Sequence, residues 1–184
     1  ISLGAIEALR AERPEARFLE LVHRLDRDTS GCLMLAKKRA VLLELQAAMQ
    51  RNQVEKRYKA LVKGQWPKGK ATINAPLRKN TLSGGERVVR VDAEGKPSVT
   101  HFKIAQRFKQ ATLLDIKLET GRTHQIRVHM QHRGHPLFND DVYGGDRVVK
   151  GTVFTKYKQF VDNCFDLCKR QALHAKTLGF IHPA

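Results

Sequence analysis

The chain alternates short apolar runs with dense polar stretches, and the spacing of the apolar positions separates helices from strands. Residues 3–12 carry the spacing of a short helix, stopped at Pro14. FLELV (18–22) reads as a short strand running into HRLDRDTSG, a polar, turn-rich stretch, and CLMLA (32–36) as a short buried strand. Residues 38–51 predict the clearest amphipathic helix, with Val41, Leu42, Leu45, Ala48 and Met49 on one side. In EKRYKALVKG (55–64) the period becomes two: Tyr58, Ala60 and Val62 share one face, Lys59, Leu61 and Lys63 the other. From 70 to 118 the runs ATINAPL, RVVRV, HFKIAQRF and TLLDIKLE predict strands, the last two joined as a hairpin through Lys109-Gln110-Ala111. Gly121 precedes a helix at 122–132 that Gly134 and Pro136 close. A loop, GHPLFNDDVYGGD, then an irregular or helical stretch over 151–170 and a final strand in QALHAKTLGFIHP complete the chain. With no internal repeat and no long linker, residues 1–184 read as a single domain of α+β class: a mixed, mainly antiparallel sheet with flanking helices.

Charge changes the picture. The 184 residues hold 34 Lys+Arg against 18 Asp+Glu, a net +16 with a pI near 10.2. Both halves are basic, so the whole fold is biased toward a polyanion rather than carrying a basic tail. With 41% hydrophobic residues the chain is not of disordered composition. No apolar run approaches the roughly 20 residues of a membrane span, and the charged N-terminal stretch has no signal-peptide core. Cys32, Cys164 and Cys168 supply no complete disulfide framework, the last two reading as buried thiols four apart on a helix. The expectation is a soluble, cytoplasmic, monomeric protein that binds RNA or DNA and no membrane.

Among candidate chemistry, Asp26 stands between Arg24 and Arg27 in a loop, a setting suited to a nucleophile or base but, on chemistry alone, more often the mark of a surface ion-pair cluster. His124, His129, His132 and His135 raise the alternative of a metal-dependent nuclease. They lack the His-x-x-x-His helical spacing and an adjacent glutamate base, so no metal site is expected. Gly84-Gly85 and Gly144-Gly145 read as turns, not phosphate loops.

The string HRLDRDTSG (23–31) resembles the active-site signature of the RluA-like family of ribosomal large-subunit RNA pseudouridine synthases. Four further motifs follow in the family's order: KRYKALVKG (56–64), TGRTHQIRVH (120–129), GHPLFNDDVYG (134–144) and RQALHAKTLGFIHP (170–183). Together they are spread over residues 23–183, with the RluC-like branch nearest in motif detail and RluD-like or RluA-like substrates as alternatives. The resemblance implies the pseudouridine synthase catalytic fold, 23S ribosomal RNA as partner and no cofactor. It assigns Asp26 to the catalytic aspartate, Tyr58 to the tyrosine on which the flipped uracil packs, and Arg127 to the arginine paired with the catalytic carboxylate. Arg24 matches the arginine that fills the vacated RNA stack, and Leu173, with Ile126, the apolar wall of the base pocket. His23, Thr29, Arg122 and His124 are the further candidates for RNA contact. Two routes stay open for Asp26: attack at ribose C1′, or help in removing a ribose proton.

Some positions depart from the family pattern. Asn139 stands where a glycine is common, and residues 145–168 look like an insertion. Family members continue beyond both ends of this sequence, which implies a catalytic domain truncated at both ends and without the S4-type RNA-binding domain. A basic RNA-binding or ribosome-assembly module with an inactive site is the alternative reading.

Overall fold

The computed structural model describes residues 4–67, 71–81, 87–147 and 155–183. Residue 3 of the expected first helix, Lys70, the Gly84-Gly85 turn and the start of the 151–170 stretch lie outside the described residues. The first elements in chain order are α1 (Ala5–Glu12), β1 (Glu20–Leu21), β2 (Ser30–Gly31), β3 (Leu35–Ala36), α2 (Arg39–Gln50) and β4 (Glu55–Lys63). Next come β5 (Thr72–Asn74), β6 (Leu77–Thr81), β7 (Arg87–Val91), β8 (Val99–Arg107) and β9 (Ala111–Leu118). The last are α3 (Gln125–His132), α4 (Thr155–Leu167) and β10 (Leu173–Gly179).

Six strands form the main sheet in the order β2-β10-β4-β9-β8-β5, and β1-β3 and β6-β7 make two ribbons. Among the described residues all strand pairings are antiparallel except β2 with β10, the mixed, mainly antiparallel arrangement the pattern predicts. Strand β4 lies between β10 and β9, so Tyr58 is flanked by Ala175 and Ile116. The face carrying Ala60 and Val62 is buried with Leu114, Ile116, Phe102 and Leu173 beneath Ile126 and Met130 of α3. On the opposite face Lys59 and Asp115 form an ion pair at 2.7 Å. A second cluster, Val22, Met34, Ala36 and Leu45, seats α2, whose apolar side falls where its period places it.

Three local expectations need correction. CLMLA is not one strand throughout: of its residues Leu35–Ala36 form a strand, paired with β1, while the preceding Ser30–Gly31 pairs with β10, so the chain turns between two partners. Helix α3 begins at Gln125 rather than 122, because His124 before it adopts φ +53°, outside helical space. Its end is as expected: Gly134, at φ +77°, donates to Gln131 O at 2.9 Å, and His135 to Met130 O at 3.0 Å, the paired bonds of a Schellman stop. Cys164 and Cys168 are half-buried rather than buried, since α4 leans on the body through the stacked rings of Phe165 and Phe138.

Candidate active site

The loop that carries Asp26 is held from both sides. Thr29 N–H donates to Asp26 O at 3.0 Å, closing a turn in which Asp28 takes φ +68°. Buried Gln171 donates from Nε2 to Arg27 O (2.8 Å) and Thr29 Oγ1 (3.1 Å), and Arg170 donates to Asp28 O (2.9 Å). Gly31, at φ +111°, lies so close to β10 that a β-carbon there would sit 2.1 Å from Ala175 O. Only glycine fits that contact and that dihedral.

These contacts set Asp26 at the wall of a cleft of about 470 Å³. Tyr58, Ile126 and Leu173 line the same cleft, so residues far apart in sequence meet there. Arg24, His23, Thr29 and Arg122 line it as well. Burial first, and the Asp26 charge second, push the Tyr58 hydroxyl up to about 12. Near neutral pH it is therefore an uncharged phenol, a ring face with a hydrogen-bonding tip. Arg24 is exposed at the rim, while Arg122 donates from Nε to Pro97 O at 3.2 Å.

Several site residues are tied to protein rather than open to a ligand. The His23 Nε2 accepts from Met34 N–H at 3.1 Å, and burial lowers its pKa, so the ring is a neutral brace between the loop and β3. Thr29 Oγ1 is engaged by Gln171. His124 lies with Nδ1 2.8 Å from the Tyr143 hydroxyl and Nε2 4.0 Å from Asp26 Oδ1. Because Val89 N–H donates to the Tyr143 oxygen, the hydroxyl proton can go to His124 Nδ1. The histidine proton then sits on Nε2, facing Asp26. Burial, the largest influence, lowers the His124 pKa despite the opposing pull of Asp26, which keeps the ring neutral at pH 7.

Arg127 corrects one expectation. Its guanidinium does not form its bidentate pair with Asp26: Nε donates to Asp140 Oδ2 at 2.7 Å and Nη2 to Oδ1 at 2.8 Å. The Arg127 side chain is 5% exposed and that of Asp140 0%, so this is a buried pair. The reason is local: Asp140 follows Phe138 and Asn139 in a loop folded beneath α3, whereas Asp26 sits at the cleft wall with its side chain 19% exposed. Burial alone would lower the Arg127 pKa, but the hydrogen bonds and charge of Asp140, with a contribution from the Asp26 charge, leave it raised. Its guanidinium carbon also lies 4.9 Å from the Tyr143 ring centre. Arg127 is thus near Asp26 but anchored elsewhere.

The Asp140 loop also explains Asn139. That residue has φ +57°, a left-handed conformation that glycine adopts freely and asparagine tolerates, so the glycine-to-asparagine departure keeps the turn. Four residues that sequence reasoning left without a role complete the site. Asp140 and Tyr143 hold Arg127 and His124. Gln125 satisfies all its amide groups, accepting from Thr120 Oγ1 and Arg122 N and donating to Val99 O and Thr100 Oγ1, which fixes the start of α3. Lys56 lines the cleft beside Tyr58. All four lie inside the matching motifs, but nothing in their spacing distinguishes them from ordinary strand, helix or loop positions. Of the four clustered histidines, His129 is engaged at both ring nitrogens by Thr100 and Ala75, and His135 by Lys63 O. Among the described residues no three His, Cys, Asp or Glu side chains group as metal ligands. Nor is any helix among them long and apolar enough to cross a membrane.

Among the described residues one main sheet and two ribbons set an aspartate, a tyrosine and apolar walls around one cleft. A family model described as RNA pseudouridylate synthase matches residues 6–132. The chain belongs to that family. It is 52% identical over 183 residues to the ribosomal large subunit pseudouridine synthase C of Salmonella typhi, and 51% identical over 183 residues to that of Escherichia coli (strain K12). Each match takes in 100% of this chain and 54% of the relative, so the chain spans about half the length of the curated relatives it matches. Among solved structures, human RNA pseudouridylate synthase domain containing 1 superposes with a TM-score of 0.71 at 27% identity, covering 94% of this chain and 68% of that one.

Proposed function

We propose that this domain isomerises uridines of large-subunit (23S) ribosomal RNA to pseudouridine, with Asp26 as the reacting carboxylate and the target base flipped out of its stack. The observation that carries the reading is the convergence of Asp26, Tyr58, Ile126 and Leu173 on one cleft. The names of the relatives support the substrate class. The reaction breaks the N1–C1′ bond and joins C5 to C1′; C5 loses its proton and N1 gains one, with no net redox change. Asp26 either attacks C1′, releasing uracil as an anion and leaving on the return of C5, or assists removal of a ribose proton. Tyr58 gives the detached ring a flat surface on which to turn, with its neutral hydroxyl available to the C5 proton's path. Ile126 and Leu173 keep water from the opened sugar. Extrusion costs a few kcal/mol of unstacking, and Arg24, exposed and without an ion-pair partner among the described residues, is placed to fill the gap. Arg127, locked to Asp140, acts on Asp26 through its charge rather than by direct pairing. The reading puts the protein to work as a monomer on ribosomal RNA in the cytoplasm.

The test is tritium release from large-subunit RNA transcripts labelled at uridine C5, with EDTA present. Release that halts on Asp26→Asn supports the proposal. A folded, RNA-bound chain that releases none overturns it in favour of a binding module with an inactive site.

A further inference from the structure

Two lysines of β4 are buried, and they differ in one respect. Lys63 donates to the backbone carbonyls of Gly144 and Arg147. Lys56 is 5% exposed, yet neither a hydrogen bond nor a carboxylate acts on it among the described residues. Its neighbours are of its own sign: burial first, and the Arg122 charge second, lower its pKa, and its charge in turn lowers that of His23. The ammonium packs beside Gly121, where a built β-carbon would lie 3.7 Å from Nζ. No fully buried side-chain nitrogen or oxygen among the described residues lacks a partner, so Nζ is not sealed in; it reaches the cleft that Lys56 lines. A desolvated, unpaired cation is expensive to keep, and a fold that sets buried Lys56 and the exposed Arg122 along one cleft leaves room for an anion to offset them.

We propose that Lys56, with Arg122 beside it, is the seat for one phosphodiester flanking the extruded nucleotide. The inference rests on the functional reading above and assigns a ligand group that the reading leaves unplaced. Strand periodicity fixes the distance: Lys56 and Tyr58 point to the same face about 7 Å apart, two strand residues at ~3.4 Å each. A nucleotide whose base lies on the Tyr58 ring therefore brings its own phosphate within reach of Lys56. Affinity for RNA as a whole comes from many surface cations. This buried one instead orients the sugar toward Asp26, because it engages only a nucleotide that has entered the cleft.

The experiment uses an RNA hairpin around a uridine shown to release tritium, with a neutral methylphosphonate placed at its 5′ or its 3′ phosphate. With the parent chain, one of the two replacements slows single-turnover release about tenfold, the size of one charge-assisted hydrogen bond. Lys56→Met slows the natural hairpin by a similar factor and loses no further rate on that methylphosphonate; Lys56→Arg retains the discrimination. Losses that multiply, with Lys56→Met equally sensitive to the replacement, overturn the proposal. A parent that releases no tritium from any large-subunit RNA defeats the functional reading instead. Lys56 is then judged on the protein alone, where removing an uncompensated buried charge raises Tm. A Lys56→Met chain that melts no higher than the parent ends the assignment, and one that melts higher sustains the anion seat.

Discussion

Replacing Arg127 by methionine strands the Asp140 carboxylate, whose side chain is 0% exposed, with the Tyr143 N–H (3.1 Å) as its one remaining donor among the described residues. Removing one partner of a buried ion pair costs about 3–5 kcal/mol, because the other charge keeps its desolvation penalty without its compensation. For a domain of this length 1 kcal/mol moves Tm by about 2–4 °C, so Arg127→Met should melt roughly 6–20 °C below the parent. Adding Asp140→Asn should recover at least half the loss, since the amide oxygen still accepts from Tyr143 N–H and no lone charge remains. Asp26→Asn is the control: its carboxylate is partly exposed and lies 4.0 Å from the neutral His124 ring, so stability should change by less than about 1 kcal/mol. Urea melts and calorimetry on the four chains at pH 7.5 decide the matter. An Arg127→Met loss below about 1 kcal/mol, or an equal loss on Asp26→Asn with no coupling to Asp140, would refute the buried pair as the anchor of this arginine.

Asp26→Asn should leave RNA binding intact while tritium release falls below a few per cent of the parent; substantial residual turnover would remove this carboxylate from the chemistry. RNA affinity should fall roughly 10³–10⁵-fold between 50 and 200 mM salt if about 6–10 phosphates are contacted, and a flat salt dependence would deny the phosphate-led binding that the charge implies. Arg24→Ala should slow single-turnover release more on a stem substrate than on a loop substrate of the same target, and equal losses would reduce it to another phosphate contact. His23, His124 and His129 all have pKa values lowered by burial from 6.5, so they stay neutral in the fold while the unfolded chain takes up protons. Stability is therefore greatest above pH 6.5 and declines as pH falls toward the folded-state values; a urea midpoint unchanged or higher at pH 5.5 than at pH 7.5 would contradict this.

What could be read in the sequence follows a physical divide. Local periodicity located α2, β4 and the β8–β9 hairpin, because burial of one face is written every two or three to four residues, and Gly134 with Pro136 marked the end of α3. The convergence of Asp26, Tyr58 and Leu173 was visible only through the motif order, since neither spacing nor charge says which strand returns beside which. The partner of Arg127 was not legible at all: Asp26 and Asp140 are both carboxylates, and the loop path that buries only one of them depends on Gly145. A β-carbon there would lie 1.7 Å from Leu137 O. Likewise Lys56 looks like any lysine on an alternating strand until the residues around it are known.

The pairing of β2 with β10 makes the order of synthesis matter. Ser30 and His174, which meet across that pairing, are separated by 144 residues. At about 5–20 residues per second, a ribosome needs roughly 7–30 s between making the Asp26 loop and making the strand that fixes it. During that interval one side of β4, a central strand in the finished sheet, stands as an open edge, and the loop has neither Gln171 nor Ala175 to hold it. The nascent chain thus carries Asp26 through that interval without a formed cleft, and the cleft closes only when β10 enters the slot between β2 and β4. That slot is also where a stray strand from another chain would do most harm, so conditions that delay β10 should favour aggregation of the nascent domain.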